Sequence, residues 1–490
     1  MGERKKFYIT TPIFYVNDKP HIGHAYTMIV ADILARWHRL RGEDVFFLTG
    51  TDEHGEKIQK SAIAAGKTPQ EFVDGIVDRF KATWKALNIS YDFFIRTTDE
   101  NHIETVQKFI SLLQQKGDIY KGEYEGWYCV SDETFLTELE LVDGKCPYCG
   151  KPVERVKEES YFFRLSKYRE ALLDHYKENK EFLSPSFRAQ EIINRVKEGL
   201  NDLSISRTSV TWAVPFPEDD KHFVYVWLDA LVNYISALGW PEGEKFREFW
   251  PADVHLIGKE INWFHSVIWP ALLMSAGLPL PRMVFSHGWW TVDGKKMSKS
   301  VGNVVDPMDL LSRYTDDEIR YFLIRSMPIG QDGDFSERAL AERVNGELLA
   351  DLGNLVSRII AIADKADVSF LGENILEKEI NIEKIDKAFE EVDINAALEE
   401  IWSFIRKMNK YVDSTQPWRL KGEELSEVMY NLLEGLRVLS ILLYPFMPRT
   451  AEKIASQLGT EITSLDDCKF KPFNGKIRRG EHLFSLVKVP

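Results

Sequence analysis

Residues 6–41 read KFYITTPIFYVNDKPHIGHAYTMIVADILARWHRLR. Lys6 to Val16 is rich in β-branched and aromatic residues, which predicts a buried strand. Asn17-Asp-Lys-Pro20 is turn chemistry. From Gly23 to Arg41 the apolar residues Ile29, Ile33, Trp37 and Leu40 recur at spacings of four and three, the period of a helix, and Gly42 stops it. The same order then repeats. Val45-Phe-Phe-Leu48 predicts a short buried strand that runs into Thr49-Gly-Thr-Asp-Glu-His-Gly55. A helix follows, opened by the capping box Thr68-Pro-Gln-Glu71, with Phe72, Ile76, Phe80, Trp84 and Leu87 as its inner face. Another helix spans about 101 to 115. Strand–helix alternation of this kind predicts an α/β fold with a doubly wound parallel sheet.

The alternation breaks near residue 117. It is expected to resume at Val224-Tyr-Val-Trp227, Val254-His-Leu-Ile257 and Val284-Phe-Ser-His287. The mixed stretch 117–225, which holds three of the four cysteines, therefore reads as a domain inserted into the sheet. Past about residue 340 the strand signals fade. Leu348–Ala363, Ala388–Tyr411 and Leu425–Leu443 have helical periodicity, so the remainder reads as an all-α bundle. The expected division is 1–116, 117–225, 226–340 and 341–490.

Composition narrows the function classes. A hydrophobic content of 44% with 12% aromatics excludes wholesale disorder. No run approaches the ~18 apolar residues of a membrane span, so no membrane association is expected. Thr10, Thr11, Pro12 and the polar Asn17-Asp-Lys19 argue against a signal peptide at the start. A net charge of −14 argues against indiscriminate nucleic-acid binding, while leaving room for a local patch such as Lys476-Ile-Arg-Arg479. Four cysteines in 490 residues make no disulfide framework, which suggests a reducing, cytoplasmic setting.

Two motifs carry chemistry. His21-Ile-Gly-His24 falls where the first strand turns into the first helix. A helix N-terminus offers unpaired N–H groups and the positive end of a dipole, which suits phosphate. His21 and His24 are three apart and can share a face, and Gly23 leaves room for a flat ring beside the backbone. Taken alone, an HxGH of this kind is more often a pair of surface or core histidines. Lys296-Met-Ser-Lys-Ser300 follows the turn Asp293–Gly294 and concentrates Lys295, Lys296 and Lys299 on a short loop. Such lysines can offset charge on a departing pyrophosphate, although a solvated basic loop is the plainer reading of the motif by itself.

Together, HIGH near the N-terminus and KMSKS two-thirds along, around a split sheet, resemble the class I aminoacyl-tRNA synthetases. Within that class the chain is similar to the methionyl-tRNA synthetase family, of the bacterial type without a C-terminal dimerisation domain. The resemblance rests on Thr11-Pro-Ile-Phe-Tyr-Val-Asn17, Gly50-Thr-Asp-Glu-His-Gly55, Tyr161-Phe-Phe-Arg-Leu165, Val226-Trp-Leu-Asp-Ala230, Ile257-Gly-Lys-Glu260 and Gln416-Pro-Trp418. A catalytically silent tRNA-binding homologue, or a class I enzyme for another apolar amino acid, are the alternatives.

The resemblance implies a Rossmann-type catalytic domain using ATP with Mg²⁺, and an anticodon-binding bundle. Its partners would be methionine and tRNA(Met), initiator tRNA included, and the enzyme would be a monomer. It implies that His21, His24, Lys296 and Lys299 are catalytic, and that Gly23, Met297, Ser298 and Ser300 join them around ATP. Methionine would be held by Ile13, Tyr15, Asp52, Trp227, Ala230, Leu231, Tyr234, Glu260 and His265. Without the resemblance, the stripe Trp227, Leu231, Tyr234 reads as ordinary core. Asn354, Arg358, Pro417 and Trp418 would meet the anticodon; from sequence pattern alone Trp418 reads as a core residue beside a helix cap. Relatives carry a zinc knuckle made of two cysteine pairs in the insert. Here Cys146-Pro-Tyr-Cys149 supplies one pair, and Cys129-Val-Ser-Asp132 supplies a cysteine and an aspartate. Two readings stay open: a Cys₃Asp zinc site, or a knuckle held by packing alone.

Overall fold

The computed structural model describes residues 4–297, 301–367 and 369–490. Ser298, Lys299 and Ser300, expected in the catalytic loop, lie outside the described residues.

Lys6–Thr10 lies inside a seven-stranded sheet. Asp44–Asp52 flanks it on one side and Val254–Gly258 on the other. Phe93–Arg96 extends the first side, while Met283–His287 and then Leu183–Ser184 extend the second. Every pairing is parallel. The near-continuous apolar character of these strands follows from burial on both faces. Phe7, Ile9, Val45 and Phe47 enter one core, and their alternates Tyr8, Phe46 and Leu48 enter the other.

The chain builds outward from Lys6–Thr10 to one edge. It then returns after the insert to build outward on the opposite side. The two directions part between Lys6–Thr10 and Val254–Gly258. In an open α/β sheet, ligands bind in the crevice beyond the strand ends at such a point.

Three local expectations need correction. The strand predicted over 6–16 is interrupted: it stops at Thr10 and resumes as Phe14–Tyr15 beside Thr51–Asp52 of the same neighbour. Pro12, which has no N–H to give a ladder, lies in the gap. Val224–Trp227 is not a strand of the main sheet. Phe223–Val224 pairs antiparallel with Ser206–Arg207, and helix Val226–Ser236 begins at once. The β-branched residues there misled because this helix is buried almost all round, so its apolar residues show little periodicity. Ala388–Tyr411 is two helices, Ile382–Glu390 and Ile394–Thr415, parted where Val392 adopts a φ of 59°.

The stretch 117–225 carries a four-stranded antiparallel sheet in the order Thr134–Leu136, Ile119–Cys129, Glu154–Phe163, Leu203–Ser204. It also supplies Leu183–Ser184 to the catalytic sheet, so it is tied in by strand pairing as well as through its two ends. The C-terminal part is helical, with Gly422–Leu443 buried at its centre and Pro448–Leu458 packed against it. Its core is continuous with one face of the catalytic sheet. Trp37, on the helix Ile22–Leu40, stacks on Phe389 at 4.1 Å and donates to Asp386 at 2.8 Å. Arg320, fully buried, pairs with Asp32 of the same helix at 2.7 Å. It also donates to the carbonyls of Phe446 and Pro445 at 2.9 and 2.8 Å. Among the described residues, no helix is long and apolar enough to cross a membrane.

Candidate active site

The crevice at the switch point opens into a cavity of about 720 Å³. Its lining includes His21, Gly23, His24, Lys296 and Met297 together with Ile13, Tyr15, Asp52, Trp227, Ala230, Leu231, Tyr234, Glu260 and His265. The structure thus brings together every described residue expected around ATP and methionine.

His21 is the N-cap of the helix Ile22–Leu40. Its Nδ1 accepts from the Gly23 N–H at 3.0 Å, and His24 Nδ1 accepts from the His21 N–H at 3.1 Å. The two rings stack at 3.9 Å. This is a capping box built from imidazoles. Burial, with Lys296 nearby, lowers the His21 pKa to about 4, and burial beside His21 pushes His24 well below the usual range. Both rings are neutral at pH 7. Because each Nδ1 accepts, each Nε2 carries the proton. The pair presents uncharged N–H donors beside a helix N-terminus. Gly23 is needed even before a nucleotide arrives, since a Cβ there would lie 2.8 Å from the His21 ring.

Lys296 and Met297 reach the same place from the other side of the crevice. The Lys296 ammonium lies 4.4 Å from the Trp289 ring centroid, and Lys259 lies 4.2 Å from it. Trp289 Nε1 donates to Glu260 at 2.7 Å. Met297 Cε is 3.7 Å from where a Gly23 Cβ would stand. Beyond the loop, Lys19 pairs with Asp306 at 2.6 Å and the Ile22 N–H donates to the Val305 carbonyl at 2.9 Å. The segment that follows the loop, at Val305 and Asp306, is therefore anchored at the start of the helix that carries the histidines.

The opposite half of the cavity is apolar and aromatic. Trp227 stacks on Phe264 at 3.9 Å. His265 lies in a π-helical turn, Phe264–Ile268, which offsets it from α-helical register and turns it into the pocket. Its Nδ1 donates to the Ile261 carbonyl at 3.0 Å, so its Nε2 accepts the Tyr234 hydroxyl at 2.6 Å. Burial lowers its pKa to about 4, so the ring is neutral. Asp52 closes this half. It is buried, its Oδ1 has no hydrogen-bond partner, and burial followed by repulsion from Asp229, Glu133 and Glu53 holds its pKa well above the usual carboxylate range. A buried acceptor left unpaired costs stability unless a ligand satisfies it.

The insert brings Cys129, Asp132, Cys146 and Cys149 together, with one ligand atom from each within 4.8 Å of the others. Cys129 and Cys149 sulfurs are 3.6 Å apart, and Cys146 lies 3.1 Å from Asp132 Oδ2. Tetrahedral zinc with ~2.3 Å bonds to sulfur requires edges of roughly 3.8 Å, so the donor set fits the ion. The hydrogen bond between Cys129 and Cys149 lowers the Cys149 pKa to about 7 and raises that of Cys129, while burial raises that of Cys146 to about 11; zinc would bind all three as thiolates, displacing their protons.

In the bundle, Trp418 is 52% exposed, unlike the core residue its sequence pattern suggests, and Pro417 beneath it is buried. Asn354 is exposed, one turn from Arg358. Arg358 donates to Asn409 and Asp413 at 3.0 Å each, and Asp413 lies in the last turn of the helix that leads into Trp418.

Sequence reasoning missed several neighbours of the site. Asp229, in the helix Val226–Ser236, is held between His54 at 2.8 Å and His102 at 2.6 Å. Glu133, on the insert, reaches Tyr15. Residues that far apart in the chain give no local signal of their pairing.

A parallel sheet with a histidine-capped helix and a lysine loop at its switch point, followed by a helical bundle, defines a class I aminoacyl-tRNA synthetase. A family model described as tRNA synthetases class I (M) matches residues 7–156 and 151–360, and one for the anticodon-binding domain of tRNA ligase matches 377–488. The methionine–tRNA ligase of Caldanaerobacter subterraneus is 52% identical over 99% of this chain and 80% of its own length. That of Bacillus subtilis is 46% identical over 99% and 79%. The solved methionyl-tRNA synthetase of Mycobacterium tuberculosis, in complex with methionyl-adenylate, superposes with a TM-score of 0.94 at 42% identity, over 98% of this chain and 99% of that one. The chain belongs to the methionyl-tRNA synthetase family.

Proposed function

We propose that this chain is an ATP-dependent methionine–tRNA ligase whose two half-reactions run in the cavity at the switch point. One observation carries the reading. A buried carboxylate with an unpaired oxygen, Asp52, faces the same cavity as two neutral imidazole donors and the Lys296 ammonium. That is a receptor for an ammonium group beside a receptor for phosphate.

Asp52 binds the methionine ammonium. Ile13, Tyr15, Trp227, Ala230, Leu231, Tyr234 and His265 enclose the flexible thioether chain, with Glu260 between the amino-acid and nucleotide sides. A methionine carboxylate oxygen attacks the α-phosphorus. The new P–O bond forms as the bond to pyrophosphate breaks, and the leaving group takes the displaced electron pair. No proton moves in this step, so no general base is required. His21 and His24 offer Nε2–H groups to the phosphate oxygens, and Lys296 offsets charge on the leaving pyrophosphate. Gly23 and Met297 border the nucleotide, and Ser298, Lys299 and Ser300 complete the same loop in sequence. Mg²⁺ bound with ATP would neutralise phosphate charge, and would draw its ligands mainly from phosphate and water rather than from side chains of this chain. The terminal ribose hydroxyl of tRNA then attacks the methionyl carbonyl: the ester C–O bond forms, the bond from that carbon to the phosphate oxygen breaks, and AMP leaves with the electron pair as the hydroxyl proton passes to its phosphate.

Asn354, Arg358, Pro417 and Trp418 read the anticodon of tRNA(Met), initiator tRNA included, by edge hydrogen bonds and base stacking. Cys129, Asp132, Cys146 and Cys149 would hold zinc, which would brace the insert and take no part in the chemistry. The chain divides into catalytic segments 1–116 and 226–340, the insert 117–225 and the anticodon bundle 341–490.

Amino-acid-dependent ATP–pyrophosphate exchange tests the activity. Exchange driven by methionine and not by leucine, isoleucine or valine is expected. Equal exchange with another apolar amino acid, or none with any, refutes the reading.

A further inference from the structure

Two aromatic residues of the methionine half, Tyr15 and Trp227, are held by consecutive residues of the insert. The Tyr15 hydroxyl donates to Glu133 Oε1 at 3.0 Å. The Trp227 indole N–H donates to the Asp132 carbonyl at 3.3 Å. Glu133 is 3% exposed and adopts a φ of 49°, a left-handed conformation that is unfavourable for a residue with a side chain. The cost is offset by what that conformation delivers. The Glu133 carboxylate also accepts from the Lys57 N–H at 3.0 Å and from the Tyr128 hydroxyl, while its carbonyl accepts from the Tyr225 hydroxyl at 2.6 Å. Three donors converge on one carboxylate; Tyr15 and Lys57 line the cavity, and of these Tyr15 gives its side-chain hydroxyl and Lys57 its backbone N–H. Gly55 is shaped to this contact: a Cβ there would lie 2.7 Å from Glu133 Oε1 and 2.9 Å from the Tyr15 oxygen.

Tyr15 also follows the Pro12 break in its strand and pairs there over only two residues, Phe14–Tyr15 against Thr51–Asp52. Its ladder is short, so its ring direction depends on the hydroxyl's partner. From this geometry we infer that Glu133 is a positioning residue for methionine recognition, acting through the Tyr15 hydroxyl. The inference deepens the ligase reading and rests on it. The insert thereby sets the width of the amino-acid pocket, whereas the imidazoles and the Lys296 ammonium of the ATP half make no hydrogen bond to Glu133.

The test is steady-state exchange with the full-length protein carrying Glu133→Gln. The glutamine amide is uncharged and has one acceptor oxygen where the carboxylate has two, so the Tyr15 hydroxyl loses a charge-assisted hydrogen bond, about twice as strong as a neutral one and worth about 10-fold. KM for methionine is expected to rise about 10-fold, with KM for ATP changed less than about 2-fold. Tyr15→Phe should raise KM for methionine as well, and the double variant should be no worse than the worse single one, because the two residues act through one hydrogen bond. Thermal melting is measured first. Should the glutamine variant not fold, Glu133→Asp, which keeps the charge and shortens the reach, carries the same expectations. An unchanged KM for methionine, a parallel rise in KM for ATP, or additive effects in the double variant would each overturn the inference. Wild-type exchange that does not depend on methionine would instead overturn the ligase reading itself.

Discussion

Replacing Asp52 with asparagine separates ligand binding from folding, because the two should move in opposite directions. In the free protein, the carboxylate is buried with Oδ1 unpaired and three other acids nearby, and its pKa is raised. A raised carboxyl pKa means that the fold disfavours the ionised form. The resulting destabilisation appears as pH rises above the unfolded value of ~3.9 and grows until the raised folded value is passed. The neutral, near-isosteric amide removes it, so Asp52→Asn should melt higher than wild type at neutral pH, with the gain fading near pH ~4. Methionine binding should suffer. Truncating one partner of a buried charge pair costs about 2–4 kcal/mol, equivalent to about 30- to 1,000-fold in KM for methionine. Wild-type affinity should also climb with pH, up to ten-fold per unit, until the free carboxyl has ionised, and the variant should lose that slope. Calorimetric titration of methionine from about pH 5 to 8, with melting curves alongside, reads all three effects. A lower melting temperature, a loss under about 5-fold, or a flat wild-type profile would refute the assignment of Asp52 as the ammonium partner.

Three further outcomes follow from the same geometry. Lys296→Met should lower kcat for exchange about 100-fold or more while leaving KM for methionine near wild type, and pre-steady-state adenylate formation should slow equally. Trp418→Ala should cut kcat/KM for tRNA about 5- to 150-fold, the worth of one stacked base, and leave exchange intact; loss of exchange would mark a folding role instead. Arg320→Met strips the buried Asp32 of one partner and three carbonyls, those of Phe446, Pro445 and Leu87, of a donor, so it should destabilise by about 3–5 kcal/mol in denaturant melts, and an unchanged midpoint would show the ion pair to be dispensable.

The sheet was legible because its strands are buried on both faces, and that burial writes itself as continuous apolar runs such as Val45-Phe-Phe-Leu48. HIGH was legible because strand, turn and helix signals surround it. The stretch at 224–227 was not, since a fully buried helix and a buried strand share the same apolar letters. Trp418 shows the limit from the other side. Its exposure depends on where Ile394–Thr415 ends and which way the chain then turns, which residue spacing does not record. Glu133 gave no sign because its importance lies in a left-handed backbone angle and a partner 118 positions away.

The helix that presents His21 and His24 spans 19 residues, about 28 Å. Its far half is clamped to the bundle by the Trp37–Phe389 stack and, through Asp32, by Arg320. It behaves as a lever with one arm in the chemistry and the other in the module that meets tRNA. A rotation at the distal arm of only a few degrees would shift the imidazoles by an appreciable fraction of an ångström. A chimaera that borrows its bundle from a relative must therefore import the fulcrum too, keeping partners for Trp37 and Arg320, or it will misalign a catalytic end whose own residues were never touched.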